Sequence, residues 1–437
     1  MFLTLFFSAI LLTSEETERM ELRDKILYQI FVRDYSQEGN IQGLIKNLDT
    51  LLSTGGDIFY LMPIQPIGKI GRKGTYGSPY SIADYEKIDP LNGSEEDLME
   101  FTSLLHAKGK KVILDMVFNH TSKDSKLGKE HPDWFYQKDG RPFNRIEDWS
   151  DVADLNHSIP GVDEYLIDKV LKKYVSLGID GFRFDVTSLI PPSFFKKAKD
   201  ALGKDCLFLG EVVDTKFLNY LRAVGIPSYS NGEYAASGME LFYPYASWGW
   251  LQDYLEGRSD SLAPYEAAFS LEEASLPYDC LVTRAIENHD RKRIASYSKE
   301  ESFTRSLLAF SFFTKGPAFV YNGEERKATH HPDIFEKETI PQQVLDKDYY
   351  DFYQKLVSLK HREKNTSLRY SEIISTTENV LLVKNTFENN KVEYGVFNLS
   401  RKHELPYTLP CKGKDLLSNR EVKEEVLLSS PLWIEAE

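Results

Sequence analysis

The sequence predicts an α/β protein with a (β/α)8 barrel, followed by a small antiparallel β domain of the sandwich type. Strand-like and helix-like segments alternate from Lys25 to about Arg362, and parallel strands need helical crossovers between them. The count of about eight strands favours a closed barrel, and no Gly-x-Gly-x-x-Gly follows the first strand, as it would in a dinucleotide-binding sheet. From about Asn365 onward, short alternating runs with polar turns indicate antiparallel strands.

The composition is that of a soluble globular protein. Hydrophobic residues make up 41% and charged residues 27% of the 437 residues, which excludes a disordered or membrane-embedded chain. The net charge of −14 argues against a nucleic-acid partner, which would require clustered Lys and Arg. The three cysteines, Cys206, Cys280 and Cys411, are far apart and predict neither a disulfide framework nor a metal site.

The N-terminal segment 1–20, MFLTLFFSAILLTSEETERM, is ambiguous. It has an apolar run of signal-peptide length, but no Lys or Arg precedes the run and no A-x-A-like cleavage site is evident. The run is too short to span a bilayer, and a start at Met20 would also give a soluble protein. We therefore expect a cytoplasmic protein, with export as the alternative if residues 1–20 act as a signal.

The first part of the predicted barrel contains three strands and two helices. The helix at 94–109 is defined at both ends, because Ser94 opens a Ser-x-x-Asp capping box and Gly109 provides a stop. The strands are predicted at 26–35, 57–67 and 111–120, and the other helix at 43–56.

A polar, aromatic loop of roughly forty residues follows the third strand and runs to Pro160. Beyond it, an amphipathic helix at 161–178 leads into the strand GFRFDV. The span 215–278 is hard to divide, although helices are indicated near 215–223 and 248–257. The remaining helices are predicted at 191–202, 303–316 and 349–363, and the remaining strands at 206–213, 280–290 and 317–325.

The segment GFRFDVTS, residues 181–188, carries two charged residues in a run that otherwise predicts a buried strand. Arg183 and Asp185 are two residues apart, so that their side chains point to the same side of the strand. In a barrel of this kind the active site lies at the C-terminal ends of the strands. Polar or charged groups stand at the ends of four predicted strands, namely Asp115, Asn119 and His120; Arg183 and Asp185; Glu211; His289 and Asp290.

These strand ends suit the chemistry of glycoside cleavage. Cleavage with retention requires two carboxyl groups about 5–5.5 Å apart, one a nucleophile and one an acid that later acts as a base. Asp185 suits the nucleophile, because Arg183 would lower its pKa by roughly 1–3 units and keep it ionised. Glu211, set between apolar residues, suits the acid, because burial raises the pKa of a carboxyl group.

Three further residues complete the predicted site. Asp290 would bind sugar hydroxyls, while His120 and His289 would donate hydrogen bonds that tighten as oxocarbenium character develops. Each feature alone has a structural explanation: the pair Arg183–Asp185 would equally suit an ion pair at the barrel rim. Their joint arrangement at successive strand ends favours catalysis.

Four segments resemble the conserved segments of the α-amylase family, glycoside hydrolase family 13. DMVFNH (115–120) resembles the first, GFRFDVTS the second, FLGEVV (208–213) the third and IENHD (286–290) the fourth. They stand in the family's order, and the resemblance extends from about Ile26 to the C-terminus. LYQIFVRDY, DWSDVADLN (148–156) and GPAFVYNGEE are supporting matches. The resemblance implies that Asp185 is the nucleophile, Glu211 the acid/base and Asp290 the third catalytic carboxylate.

The resemblance also implies substrate-binding residues. The stretch 80–93, YSIADYEKIDPLNG, resembles the family segment whose leading tyrosine stacks on the sugar at the cleavage point, so that Tyr80 takes this role beside His120, Arg183 and His289. That tyrosine normally follows a glycine, whereas Pro79 precedes it here.

The resemblance divides the chain into three parts. After the ambiguous residues 1–20 comes a catalytic barrel at 21–363, which includes a short form of the family's B domain at about 121–160. An all-β domain follows at 364–437. The B domain often sets substrate length, and this single sequence does not reveal that preference.

Members of the family often hold a structural calcium ion. Asn119 and Asp154 match positions that commonly serve the ion. The Lys-His that often follows the second segment is replaced here by Ser188 and Leu189, and that histidine helps to hold the ion. The ligand set is therefore incomplete, so that the sequence favours a site without calcium. The chemistry itself requires no cofactor.

The resemblance implies a retaining α-glycosidase acting on α-linked glucose oligo- or polysaccharides, and we expect a monomer without a membrane partner. A transglycosylase or phosphorylase would use the same carboxylates, and the motifs do not separate it from a hydrolase. A non-catalytic glycan-binding protein would lack Asp185, Glu211 or Asp290, and all three are present. A metal-dependent hydrolase would need facing histidines, and the closest pair, His330–His331, falls in a late loop.

Overall fold

The computed structural model describes residues 21–146 and 149–436, so that the ambiguous segment 1–20 lies outside the described residues. Eight short parallel strands form one curled sheet at the centre of the molecule. All of its residues are buried except Lys111, the first of β3. The strands are β1 (Ile26–Ile30), β2 (Ile58–Leu61), β3 (Lys111–Met116), β8 (Gly181–Phe184), β9 (Leu207–Gly210), β10 (Leu241–Phe242), β11 (Leu281–Val282) and β12 (Ala318–Tyr321).

The strand order is that of a barrel. The first strand, β1, pairs in parallel with β2 on one side and with the last strand, β12, on the other. The remaining neighbours follow chain order from β2 to β11. β11 and β12 stand at the two ends of this order, and the segment that leads into β12 approaches β11 closely: a Cβ on Gly316 would lie 2.3 Å from the carbonyl oxygen of Val282. The prediction of a (β/α)8 barrel is confirmed.

Helices surround the sheet and connect its strands. No helix among residues 21–146 and 149–436 is long and apolar enough to cross a membrane. The α-helices are Val32–Tyr35, Ile41–Lys46, Leu48–Leu52, Glu95–His106, Lys126–Glu130, Val162–Tyr165, Lys172–Ser176, Pro192–Leu202, Thr215–Ala223, Asn231–Ala235, Tyr245–Leu255, Ala263–Ala274, Glu301–Phe313 and Lys347–Lys360; a π-helical segment, Leu166–Leu171, joins two of them.

The predicted start and end signals of the helix Glu95–His106 are confirmed. Ser94 accepts from the backbone N–H of Asp97, and the Asp97 side chain accepts from the backbone N–H of Ser94, which completes the predicted capping box. Gly109 adopts φ = +68° beyond the helix end, a conformation that favours glycine.

Several elements differ from the prediction. The predicted strand 26–35 ends at Ile30 and is followed by the helix Val32–Tyr35, and the helix Ala263–Ala274 was not predicted. The sixth barrel strand, Leu241–Phe242, was not recognised within 215–278, because two residues give no periodic pattern. The predicted strand 280–290 is likewise strand only at Leu281–Val282, and the rest forms a loop.

The long loop after β3 carries two short antiparallel pairs. β4 (His120–Ser122) pairs with β7 (Val152–Asp154), so that His120 lies opposite Asp154. Between them, β5 (Gln137–Lys138) and β6 (Arg141–Pro142) form a small hairpin.

The C-terminal part contains two antiparallel sheets, as predicted. A six-stranded sheet has the order β13–β14–β15–β20–β17–β18, and β16 pairs with β19 in a second sheet. The strands are β13 (Leu368–Ser375), β14 (Val380–Phe387), β15 (Val392–Asn398), β16 (Leu405–Thr408), β17 (Gly413–Asp415), β18 (Arg420–Val422), β19 (Glu425–Leu428) and β20 (Leu432–Ala436).

Alternate side chains of the larger sheet point to opposite faces and belong to two different hydrophobic clusters. Val380 and Leu382 pack against the small sheet in one cluster, whereas Leu381 and Val383 join the core of the barrel. Trp433 of β20 lies with its ring edge-on to Phe313, at 4.9 Å between centroids. The C-terminal sheet is therefore packed tightly on the barrel. The domain boundaries at 20/21 and 363/364 stay predictions.

Candidate active site

The site is built around Arg183, whose side chain is completely buried at the C-terminal end of β8. Its Nη1 lies 2.9 Å from Oδ1 of Asp115 on the neighbouring strand β3 and 2.9 Å from Oδ1 of Asp185. Its Nη2 lies 2.9 Å from Oε1 of Glu211, which follows β9 on the other side. One guanidinium therefore draws three carboxylates from neighbouring strand ends together, and it keeps Asp185 and Glu211 close to each other.

The residue after Asp185 has an unusual backbone. Val186 adopts φ = +41°, a conformation that is costly for a β-branched side chain. In this conformation its N–H donates to Oε2 of Glu211 at 2.9 Å. The strained turn thus places a hydrogen-bond donor on the carboxyl group that the sequence predicts as acid and base.

Tyr80 and His289 form the floor beside this group. The Tyr80 hydroxyl donates to Oδ2 of Asp115 at 3.0 Å and lies 2.6 Å from Nε2 of His289. The two rings are stacked, with 5.3 Å between centroids. On the far side, the Nε2 of Gln29 lies 2.8 Å from the Nδ1 of His289. Both rings are therefore fixed by hydrogen bonds at their polar atoms.

Asp290 stands at the edge of the same cleft. Its Oδ2 lies 3.0 Å from Nε2 of His289, and 45% of its side chain remains exposed. Burial by itself would raise the pKa of Asp290, but the charge and hydrogen bond of His289, together with Arg183 and Arg291, hold that pKa below its ordinary value. Asp290 is thus an ionised, partly exposed group at the edge of the cleft.

The two central carboxyl groups have raised pKa values. Burial raises the pKa of Asp185 well above its usual range, and the charges of Glu211 and Asp115 add to this, against the opposing effect of Arg183. Burial also raises the pKa of Glu211. The expected rise for Glu211 is confirmed, whereas the expected lowering for Asp185 is wrong. The main reason is burial, which penalises the charged form of Asp185; Arg183, which is shared among three carboxylates, offsets this only in part.

These residues open into one cleft. The cavity has a volume of about 380 Å³, which lies in the range of small-molecule sites. Its lining residues are Lys73, Ser78, Tyr80, His120, Trp149, Asp151, Val152, Asp185, Val186, Glu211, Val213, His289, Asp290, Ile334 and Phe335.

The structure brings all the predicted catalytic and substrate-binding residues together. Six of them line the cleft, and Arg183 lies directly beneath. Their roles as nucleophile, acid and substrate ligands remain predictions. Sequence reasoning did not find Trp149, Lys73 or Phe335 in the cleft wall. Trp149 lies within the quoted segment DWSDVADLN, but Lys73 and Phe335 belong to distant loops that carry no recognisable signal.

The two candidate calcium ligands, Asn119 and Asp154, lie side by side but already have a cationic partner. The Nε of Arg145 donates to Oδ2 of Asp154 at 2.8 Å, and its Nη2 donates to Oδ1 of Asn119 at 3.2 Å. Calcium requires six to eight oxygen ligands, and a guanidinium within the ligand set would repel it. In the part of the chain that the structure describes, no cluster of three or more His, Cys, Asp or Glu could hold a metal ion. This arrangement does not fit a calcium ion.

Comparison with known proteins gives a consistent result. The family model described as "Alpha amylase, catalytic domain" matches residues 24–366. The crystal structure of an α-amylase from Lactobacillus plantarum superimposes with a TM-score of 0.87 at 31% identity, covering 95% of this chain and 99% of that one.

Curated relatives are more distant in sequence. Alpha-amylase 3 of Dictyoglomus thermophilum is 25% identical over 472 residues, covering 92% of this chain and 90% of that protein. An intracellular maltogenic amylase of Bacillus subtilis is 27% identical over 358 residues, or 76% of this chain. The chain spans only 56% of the length of that enzyme.

Proposed function

Because this chain belongs to the α-amylase family, we propose that it is a retaining glycosidase that cleaves α-linked glucose oligo- or polysaccharides by double displacement. The observation that carries the proposal is the contact of Arg183 with both Asp185 and Glu211, at 2.9 Å each. It holds two carboxyl groups together at the base of a cleft, as a retaining mechanism requires.

In the first step Asp185 attacks the anomeric carbon, and the glycosidic bond breaks as a covalent glycosyl-enzyme ester forms. Glu211 gives its proton to the departing oxygen, so that the leaving sugar departs as a neutral alcohol. Burial raises the pKa of Glu211, which favours the protonated form that the acid role requires.

In the second step Glu211, now ionised, takes a proton from a water molecule, whose oxygen attacks the anomeric carbon. The ester bond to Asp185 breaks, and the sugar leaves with its original anomeric configuration. The N–H of Val186, 2.9 Å from Oε2 of Glu211, and the guanidinium of Arg183 stabilise the ionised carboxylate between the two steps.

The other cleft residues act on the sugar. Tyr80, stacked on His289, presents a ring to the sugar face, and Asp290 accepts from sugar hydroxyls. His120 donates a hydrogen bond to a sugar hydroxyl, and His289, whose Nε2 lies 2.6 Å from the Tyr80 hydroxyl and 3.0 Å from Oδ2 of Asp290, keeps those two groups in position for the sugar.

A sugar acceptor would react with the Asp185 ester in the same way as water, which gives transglycosylation as the competing outcome. Phosphate as acceptor would give phosphorolysis. Asp185 and Glu211 have the same roles in hydrolysis, transglycosylation and phosphorolysis. Analysis of the products formed with an added acceptor therefore distinguishes the three reactions.

For location, we propose the cytoplasm, in keeping with the name of the intracellular relative from Bacillus subtilis. Export directed by residues 1–20 is the alternative. Cell fractionation with an antibody to the C-terminal part decides between them. We also propose a monomer, and light scattering of the purified protein would measure this.

Hydrolysis of p-nitrophenyl-α-glucoside, maltotriose, isomaltotriose and soluble starch tests the proposed activity. We expect cleavage of at least one substrate by the wild type and its loss in Glu211→Gln. The matched control is Glu421→Gln, which changes an exposed glutamate in β18 and should remain active. Proton NMR of the first product should show the α-anomer. A folded wild type that cleaves none of the four would contradict the proposal and favour a glycan-binding role.

A further inference from the structure

We propose that Arg145 serves as a built-in cation in place of a calcium ion, tying the long loop to the end of β3, and that it is a positioning residue for His120. The first part rests on the geometry of Arg145 and on the resemblance that marks Asn119 and Asp154 as calcium positions. The second part rests on the proposed function, because it assigns His120 a role toward substrate.

The guanidinium of Arg145 is held from three sides. Its Nε donates to Oδ2 of Asp154 at 2.8 Å, and its Nη2 donates to Oδ1 of Asn119 at 3.2 Å. Its central carbon lies 4.0 Å from the centre of the Tyr136 ring, in a cation–π contact. Only 11% of the Arg145 side chain is exposed, and none of the Asp154 side chain is. A buried charge pair of this kind is retained only with good geometry, since its desolvation is costly.

The contact between Arg145 and Asn119 joins two parts of the chain that meet only through tertiary structure. Asn119 follows the barrel strand β3, whereas Arg145 and Asp154 belong to the long loop. The backbone N–H of Arg145 also donates to Oδ2 of Asp154, at 3.2 Å, and the N–H of Leu155 donates to the carbonyl of Asn119 at 2.8 Å. Arg145 therefore fastens the loop that carries Trp149 into the cleft wall.

The same contact fixes the amide of Asn119. Because Arg145 donates to Oδ1, this atom must be the oxygen, and the Nδ2 group points toward His120. Nδ2 lies 3.1 Å from Nδ1 of His120, so that Nδ1 accepts this hydrogen bond. The proton of the neutral ring is then on Nε2, the ring nitrogen left to donate where His120 lines the cleft beside the backbone of Tyr80. Arg145 thus selects the tautomer of His120 from outside the cleft.

A cation from solution would differ from Arg145 in a measurable way. A bound ion is lost to a chelator, whereas a covalently attached guanidinium is not. A metal ion also has no fixed direction for its contacts with carboxylate oxygens, whereas a guanidinium donates hydrogen bonds only along its N–H bonds. The wild-type protein should therefore keep its stability in a chelator.

The experiment compares Arg145→Met and Arg145→Lys with the wild type. The control is Arg141→Met, which removes an exposed arginine four residues earlier in the same loop. Thermal unfolding midpoints are measured in EDTA and in millimolar calcium. We expect the wild type and the control to have the same midpoint in both solutions. Arg145→Met should unfold at a lower temperature, and Arg145→Lys, which keeps the charge, should recover part of the difference. A wild-type midpoint that falls in EDTA and returns with calcium would overturn the first part.

Kinetics and NMR test the positioning role. Arg145→Met should lower kcat about 10-fold or more with little change in KM, as a misoriented donor would. In a His120→Ala background the same change should lower kcat much less, because the group it positions is gone. Equal losses in both backgrounds would contradict the role. The nitrogen chemical shifts of His120 test the positioning role even if the wild type is inactive. We expect a proton on Nε2 in the wild type and a mixture of the two tautomers in Arg145→Met. Identical spectra of the two proteins would refute the positioning role.

Discussion

Arg183 Nη1 lies 2.9 Å from Oδ1 of Asp185, yet the pKa of that carboxyl is raised rather than lowered. Burial is the largest cause, and the charges of Glu211 and Asp115 add to it. The ion pair therefore positions Asp185 without fully compensating its burial. The free enzyme binds a proton in this group more readily than an isolated aspartate does, and activity should be lost as pH falls through the raised pKa.

The first prediction concerns this pH dependence. Glu211→Gln removes one of the negative charges that raise the pKa of Asp185, so that this pKa should fall. The ionised nucleophile would then persist to lower pH, and the acid limb of kcat/KM should move downward. The measurement uses α-glucosyl fluoride, whose leaving group needs little acid assistance. An acid limb that stays in place or moves upward would show that Glu211 does not set this pKa.

The second prediction concerns Tyr80. Tyr80→Phe keeps the ring stacked on His289 but removes the hydroxyl that contacts Asp115 and His289. We expect kcat/KM to fall about 10-fold, because an unpaired buried group costs about 1–3 kcal/mol. Tyr80→Ala removes the stacking surface as well and should cost clearly more, mainly in KM. Equal effects of the two variants would show that the ring itself does not contact the sugar.

The third prediction tests the barrel seam. Gly316 adopts φ = +104°, and a Cβ there would lie 2.3 Å from the Val282 carbonyl oxygen. Gly316→Ala should therefore destabilise the protein by about 1–3 kcal/mol through backbone strain and the clash. Gly249→Ala is the matched control, since Gly249 lies in a helix with nothing within 4 Å of its Cβ position. The control should be neutral or stabilising by up to ~1 kcal/mol. Urea unfolding measures both, and equal effects would refute the close seam.

The fourth prediction tests the contact between the barrel and the C-terminal sheet. Trp433 is 1% exposed, stacks edge-on to Phe313 and donates from Nε1 to Oε2 of Glu393 at 2.8 Å. Trp433→Ala should destabilise the protein by about 3–5 kcal/mol, as large core truncations do.

Trp433→Phe separates the two contributions at this position. It keeps an aromatic ring but loses the hydrogen bond to Glu393. The Oε2 atom of Glu393 still accepts a hydrogen bond from Nη2 of Arg362 at 2.7 Å. The loss should therefore be much smaller than in the alanine variant. A separate unfolding transition for the C-terminal part in the wild type would show that this contact does not couple the two sheets.

The sequence predicted most of the barrel because each long strand and helix carries its own signal. The capping box at Ser94 and Asp97 formed as expected, and the run GFRFDV became the strand that holds Arg183. The strand Leu241–Phe242 was not predicted, because two residues are too few to show the alternation of apolar and polar side chains that indicates a strand.

The sequence by itself determined which carboxyl groups gather at the cleft. Side chains at the C-terminal ends of neighbouring parallel strands meet wherever a barrel closes, so that strand order brings Asp185 and Glu211 together, whereas Asp290 reaches the cleft on the loop that follows β11. Only the tertiary structure decided the pKa direction of Asp185 and the pairing of Arg145 with Asn119 and Asp154. Both depend on distances between residues far apart in the chain. The local pattern of apolar and polar residues predicts whether a side chain is buried. The distances between these residues depend instead on how the loops pack in the folded protein.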